Sequence, residues 1–331
     1  MNIPEELQNA AGDRFNVHQI DGVQRDTNVT AGAFLNFSDT NYWKSRQLCS
    51  FLDIMQSGGT TPQDRFLFTD AWNPVITQIA YMRDLMDQAW ELHGIWHAGA
   101  YDPSDILGYK MQKPWPWLAE SSWFYSLDYS YFATEFHKDM FLRNLDIDLD
   151  FYGRAIRSGQ PHGMILSAME QYRDAEKSMD DLVMWPHRYN ADKQPVIAED
   201  LSADFNMVIT QKQNLDKSQY YATLARSKVM FSCALHENLG ISVMEGVLAG
   251  VIPVLPDRCS YAEMYLPEFL YPSEWTLDFD SYVKHRDQLV AFIQDRITNR
   301  EQYLAALAQQ RLILIRDYLT PAAMINNMVR T

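Results

Sequence analysis

Residues 229–257, VMFSCALHENLGISVMEGVLAGVIPVLPD, admit few folds. VMFSCAL is apolar or small throughout, the pattern of a strand buried on both faces of a parallel sheet. Ile241, Met244, Val247 and Leu248 then recur at helical spacing, and VIPVL reads as a second short strand. Strand, loop, helix and strand make a βαβ unit, whose two strands lie parallel in one sheet. Gly240 falls in the loop at the helix start, where unpaired N–H groups and the helix dipole attract an anion. Glu237 is predicted at the carboxyl edge of the sheet and Glu245 about a turn inside the helix, near the same crevice. The two carboxylates are thus placed to grip hydroxyl-bearing groups beside a bound phosphate.

Two glutamates eight positions apart occur in many helical proteins, so the spacing alone is weak. Joined to the strand, Gly240, the small residues Gly246, Ala249 and Gly250, and the strand containing Pro253, it becomes far more specific. On these residues the segment resembles the C-terminal domain of retaining GT-B glycosyltransferases of the family-4 type. Their Glu-x7-Glu signature matches Glu237 and Glu245, and the resemblance spans residues 182–271. It implies an α/β GT-B architecture: two Rossmann-like domains with parallel sheets facing across a cleft. It also implies a UDP- or GDP-sugar co-substrate, with no further cofactor and no metal.

Length and composition agree with that class. At 331 residues the chain accommodates two ordinary domains, and 47% hydrophobic with 21% charged residues is a globular composition. A net charge of −15 opposes a broad nucleic-acid-binding surface, though not a local basic groove. Cys49, Cys233 and Cys259 are odd in number and widely spaced, which reads as reduced, buried thiols. The acidic N-terminus is unlike a signal peptide, and no apolar run approaches the ~20 residues of a membrane helix. A cytoplasmic protein without integral membrane association is expected.

Strand-like and helix-like segments alternate along the first half, predicting a doubly wound α/β domain. The strands are predicted at residues 14–20, 64–70, 91–99 and 128–134, and helices at 42–55 and 75–88. A second α/β unit begins at LVMWPHR and continues through NMVIT, VMFSCAL and VIPVL. The boundary is predicted within residues 173–181, giving an acceptor-side domain over 1–175 and a nucleotide-sugar domain over 176–319. By the resemblance, a final helix in 320–331 crosses back to the first domain. GT-B proteins usually open with a strand and a Gly-rich loop; the nearest match is residues 26–39, with the single Gly32. The first domain therefore reads as shortened or divergent.

WPHRYNADK carries Arg188 and Lys193 at a predicted strand end. Two fixed cations there stabilise the charge that grows on a departing diphosphate, and the resemblance assigns them that role, with backbone N–H groups of Leu239 and Gly240 assisting. The competing reading of Lys193 is a surface charge at a solvated helix start. LVMWPHRYNADKQP with FATEFHKDMFL is also similar to the tRNA-queuosine mannosyltransferase branch, in which Trp-x-His-Arg…Asp-Lys opens the second domain. That branch closes its first domain with Asn-Ser-x-x-Asn, where this chain has Thr134 to His137, so the match is imperfect.

His97 follows LHGIW at a strand end, where the resemblance places a histidine near the transferred sugar; a satisfied structural histidine is the alternative. Asp70, ending FLFTD, reads as a carboxylate that orients or deprotonates the acceptor hydroxyl, or as a helix cap before Asn73-Pro74. Asp146, Asp148 and Asp150 form an Asp-x-Asp pattern without a nucleotide motif around it, which reads as a solvated acidic stretch rather than a metal site. KPWPWLAESSWFY concentrates Trp115, Trp117, Trp123, Phe124 and Tyr125 beside Lys110 and Lys113. Its aromatics either stack on a base or form a core under a long loop, the core reading being favoured slightly.

The expectation is a retaining glycosyltransferase: Glu237 on the donor sugar, Glu245 on the ribose, Arg188 and Lys193 on the diphosphate. The acceptor reading leans to a hydroxyl on a modified nucleobase, in phage-type hydroxymethylpyrimidine DNA or in tRNA. A cell-envelope glycan or lipid transferase and a non-catalytic nucleotide-sugar-binding protein are the alternatives.

Overall fold

The computed structural model describes residues 3–24, 37–173, 175, 177 and 181–330. By contact the chain divides into two compact units. The N-terminal unit comprises residues 3–133, Lys138–Ser158 and 322–330; the C-terminal unit comprises Thr134–His137 and Gly159–Pro321.

The N-terminal unit holds a parallel sheet of β1 (Arg65–Phe68), β2 (Glu91–Ile95), β3 (Tyr129–Phe132) and β4 (Ala155–Arg157), paired in that order. Strands that add in sequence order through right-handed crossovers put their connecting helices on one face. α1 (Val75–Leu85) and α2 (Pro114–Ser126) are two of these crossovers, and Ile76, Ile79, Trp123 and Phe124 join Leu92, Trp96 and Phe132 in one core. Alternate strand residues Ile95 and Tyr131 pack instead with Ile3, Leu7 and Met324, from the helices Ile3–Ala11 and Ala322–Val329. Among the described residues this sheet has no reversal of strand order, so the doubly wound pattern predicted for it is not seen; the two terminal helices cover its second face.

Two local features differ from the sequence-based expectation. Residues 14–20 form no strand, because Gln8 takes their backbone groups: its Nε2 donates to the Phe15 carbonyl at 3.1 Å and its Oε1 accepts the Val17 amide at 3.0 Å. Cys49 is exposed rather than buried, while Cys233 is buried and all three cysteines are free. Residues 26–36 of the Gly32 segment, and most of the predicted boundary at 174–180, lie outside the described residues.

The C-terminal unit carries β5 (Val183–Trp185), β6 (Met207–Ile209), β7 (Val229–Phe231), β8 (Ile252–Pro256) and β9 (Leu270–Tyr271) in the parallel order β6-β5-β7-β8-β9. The order reverses at β5 and β7, the switch point outside which open α/β sheets bind ligands at their carboxyl ends. α3 (Lys217–Arg226) leads into β7, and α4 (Ile241–Leu248) joins β7 to β8. α4 lies close on the sheet, since a Cβ at Gly246 would come within 2.3 Å of Met230 Cε. The helix Gly163–Glu170, placed by the sequence in the first domain, belongs to this unit and packs against α4 through a face that buries Ile165 and Met169.

Candidate active site

At the switch point the two strand ends are tied by side chains. His187, two residues beyond β5, places Nε2 2.8 Å from Ser232 Oγ, just beyond β7. Burial, with Lys193 nearby, pushes this imidazole down to about 3, so it is neutral at physiological pH. The same loops bring Lys193 and Glu237 together, with Nζ 3.2 Å from Oε2. Lys193 also lies 3.3 Å from Asp192 Oδ2 and donates to the His236 carbonyl. It is 8% exposed, so it is not a solvated surface charge.

The other oxygen of Glu237 accepts the Gly240 amide at 3.0 Å. Burial pushes the Glu237 carboxyl up, but the Lys193 ammonium, its hydrogen bond and the neighbouring histidines together hold it below the ordinary carboxylate value. Gly240 has φ of 74°, and a Cβ there would lie 2.9 Å from Tyr261 Cε1, so both conformation and space demand glycine. Its amide is engaged by Glu237, and Leu239 beside it is buried. The amides of Ile241 and Ser242, in the first turn of α4, take no partner among the described residues. Arg188 is exposed on the loop after β5.

Glu245, one turn into α4, is 9% exposed. Its Oε1 accepts from Tyr221 at 3.0 Å and its Oε2 from Tyr220 at 3.2 Å, both on α3. Burial raises its pKa, and the Tyr221 and Tyr220 hydroxyls pull the other way. These tyrosines carry no motif, and sequence reading missed them together with His187 and Ser232.

The N-terminal unit gathers Asp70 and His97 at adjacent strand ends. Asp70 Oδ1 accepts the Trp72 amide at 3.1 Å, and Oδ2 lies 3.2 Å from Lys44 Nζ. His97 Nε2 is 2.7 Å from the Thr69 carbonyl. Asn73, not Asp70, receives the Val75 amide at the start of α1, at 3.1 Å. Beneath both loops lies Glu120, fully buried, accepting from the amides of Ala100 (2.5 Å) and Tyr101 (2.8 Å) and from Trp72 Nε1 (2.9 Å). Burial raises its carboxyl to about 7 despite the three donors.

Trp115 and Trp117 are 53% and 48% exposed on α2, which corrects the core reading for these two, whereas Trp123 and Phe124 on the same helix are buried in the core as that reading has it. Trp117 Nε1 donates to the Ala100 carbonyl at 2.8 Å. Asp146, Asp148 and Asp150 are all exposed, and Asp148 receives the Asp150 amide at 3.0 Å.

No family model matches the chain. A stretch of 119 residues is 25% identical to the tRNA-queuosine alpha-mannosyltransferase of Drosophila melanogaster, covering 27% of this chain and 32% of the relative. The match thus spans about a third of that protein's length. The chain is similar to the Candida albicans trehalose-6-phosphate phosphatase N-terminal domain, with a TM-score of 0.58, 10% identity, and 92% and 77% of the two chains covered. It is similar to the E. coli trehalose-6-phosphate structure bound with UDP-2-fluoro glucose (TM-score 0.58, 10% identity, 87% and 77% covered). The pneumococcal O-GlcNAc transferase GtfA in complex with UDP and GlcNAc gives a TM-score of 0.53 at 13% identity, with 88% and 61% covered. At these identities the likeness is one of fold, and the fold is α/β GT-B.

Proposed function

We propose that this chain is a glycosyltransferase that moves a sugar from a UDP- or GDP-sugar to a hydroxyl acceptor with retention. The observation that carries this reading is the Lys193–Glu237–Gly240 arrangement at the switch point of the C-terminal sheet, directly ahead of α4. The GT-B fold, and nucleotide or nucleotide-sugar ligands in two of the similar structures, support it.

In this reading the donor diphosphate lies against Lys193, Arg188 and the start of α4, where the amides of Ile241 and Ser242 take the part expected of Gly240, whose own amide is held by Glu237. These groups gain most as negative charge collects on the departing diphosphate, so they lower the barrier more than they tighten donor binding. Glu237 accepts hydroxyls of the donor sugar and faces the positive charge that develops at its anomeric carbon. Both Glu237 oxygens are already held, by Lys193 and by Gly240, which suits a fixed acceptor better than a covalent nucleophile. Glu245 accepts the ribose hydroxyls. No step here requires a metal ion.

For the acceptor, the reading is a hydroxyl on a modified nucleobase, as in hydroxymethylated DNA or in tRNA, used by a soluble cytoplasmic or phage-encoded enzyme. It is supported by two exposed tryptophans on α2 and by the partial match to a tRNA-queuosine mannosyltransferase. Base stacking on such rings contributes about 1–3 kcal/mol each. Asp70 and His97 would orient the incoming hydroxyl. The test is transfer of labelled sugar to a panel of hydroxymethylated DNA, tRNA, simple glycans and lipid acceptors. Labelled nucleic acid, with transfer that falls steeply as salt rises, is the expected result. Labelling of glycan or lipid alone overturns the nucleobase reading, and donor binding without turnover would make this a nucleotide-sugar-binding protein.

A further inference from the structure

Glu245 is held in a way that its position in the motif does not require. A buried carboxylate can be satisfied by backbone amides or a cation, yet here each oxygen receives one phenol, Tyr221 on Oε1 at 3.0 Å and Tyr220 on Oε2 at 3.2 Å. The two rings lie 5.5 Å apart, and Tyr172 packs on Tyr221 at 6.1 Å. Lys217, one helical turn earlier on α3, stands 5.6 Å over the Tyr221 ring. A carboxylate has about four lone-pair directions. One phenol on each oxygen leaves each with a further acceptor site, so two adjacent hydroxyls can be received at once.

We propose that Tyr220 and Tyr221 are positioning residues that clamp Glu245 as a two-point acceptor for the vicinal diol of the donor's ribose. The proposal rests on the reading of Glu245 as the ribose contact. The clamp does two things. It fixes the carboxylate plane, so the diol meets a preorganised acceptor. It also works against protonation: burial pushes Glu245 up, and the two phenols, with Lys217, are the groups that oppose this. Burial raises the pKa of both phenols, Tyr221 to about 12, so they remain donors throughout the physiological range.

The experiment compares wild type, Tyr220→Phe, Tyr221→Phe, the double variant and Glu245→Ala. Affinities for UDP, GDP and their 2′,3′-dideoxy counterparts are measured by calorimetry from pH 6 to 9, and folding is checked by melting. Wild type should prefer the ribonucleotide, and Glu245→Ala should abolish the preference. The double phenylalanine variant should lose about tenfold in ribonucleotide affinity at pH 7, as expected for lost hydrogen bonds to a charged group. It should change little towards the dideoxy compound and regain ribonucleotide affinity as pH rises and Glu245 ionises. If Glu245→Ala loses the preference but the phenylalanine variants keep wild-type affinities at every pH, the clamp is refuted and the ribose reading stands. If wild type binds both sugars equally, or neither nucleotide, the ribose reading fails and the clamp with it. Should the double variant not fold, Tyr221→Phe alone decides by the same criteria.

Discussion

Lys193 Nζ lies 3.2 Å from Glu237 Oε2, joining the loop after β5 to the loop after β7 where the strand order reverses. One ammonium thereby fixes a carboxylate, and in the proposed function it also supplies positive charge to the donor diphosphate.

Lys193→Ala should therefore lower turnover by roughly 10²-fold or more, the scale for loss of a preorganised charge stabiliser. Arg188→Ala should act in the same direction with less effect on stability, since Arg188 is exposed. Activity should persist in EDTA; strict Mn²⁺ dependence would count against this arrangement.

The same pair predicts a pH signature. Glu237 is held below its ordinary value, so its stabilising contribution is present above the unfolded value of ~4.5 and is lost as pH falls through the lower folded value. Lys193→Ala should melt below wild type at pH 7, and the gap should close in acid. A gap that stays constant down to pH 3 would contradict the coupling.

Gly240→Ala places a Cβ 2.9 Å from Tyr261 and forces a non-glycine residue to φ of 74°. A cost of about 1–3 kcal/mol is expected, with weakened nucleotide binding from the displaced loop. Unchanged melting and nucleotide affinity would show that the loop tolerates the strain.

Glu120 gives the opposite pH sign in the N-terminal unit. Its folded value of about 7 exceeds its unfolded one, so its contribution is full below the unfolded value and is lost as pH rises through about 7. Wild type should lose stability relative to Glu120→Gln between pH 5 and pH 8, on the order of 1–3 kcal/mol. Parallel melting curves for the two proteins would refute the assignment.

Replacing Trp115 and Trp117 with Ala should reduce transfer to nucleic acid more than donor hydrolysis, with little change in melting, because both rings are about half exposed. Equal loss of both activities would assign them to the scaffold.

The continuous apolar runs that became β5, β7 and β8 were legible because a strand buried on both faces leaves an unbroken hydrophobic signature. β4 and β9, three and two residues long, are too short to show any period. The Glu237 loop was readable because Gly240 and the helix start fix its geometry locally. The Lys193 contact was not, since it joins positions 44 residues apart in sequence. Trp115 and Trp117 misled because aromatic density suggests a core. Helical spacing instead buries Glu120, Trp123 and Phe124 and turns the two tryptophans outward. Glu120, Tyr220 and Tyr221 act only through tertiary contacts and left no local pattern.

Release of nucleotide from donor sugars tests most directly whether the C-terminal unit binds and activates a nucleotide sugar. Purified protein incubated with UDP- and GDP-sugars in EDTA, followed by chromatography of the nucleotides, should release UDP or GDP. Glu237→Gln and Lys193→Ala should each reduce that release by about 10²-fold or more. Nucleotide release that is absent from wild type with every donor and acceptor tried, or undiminished in both variants, would contradict the account.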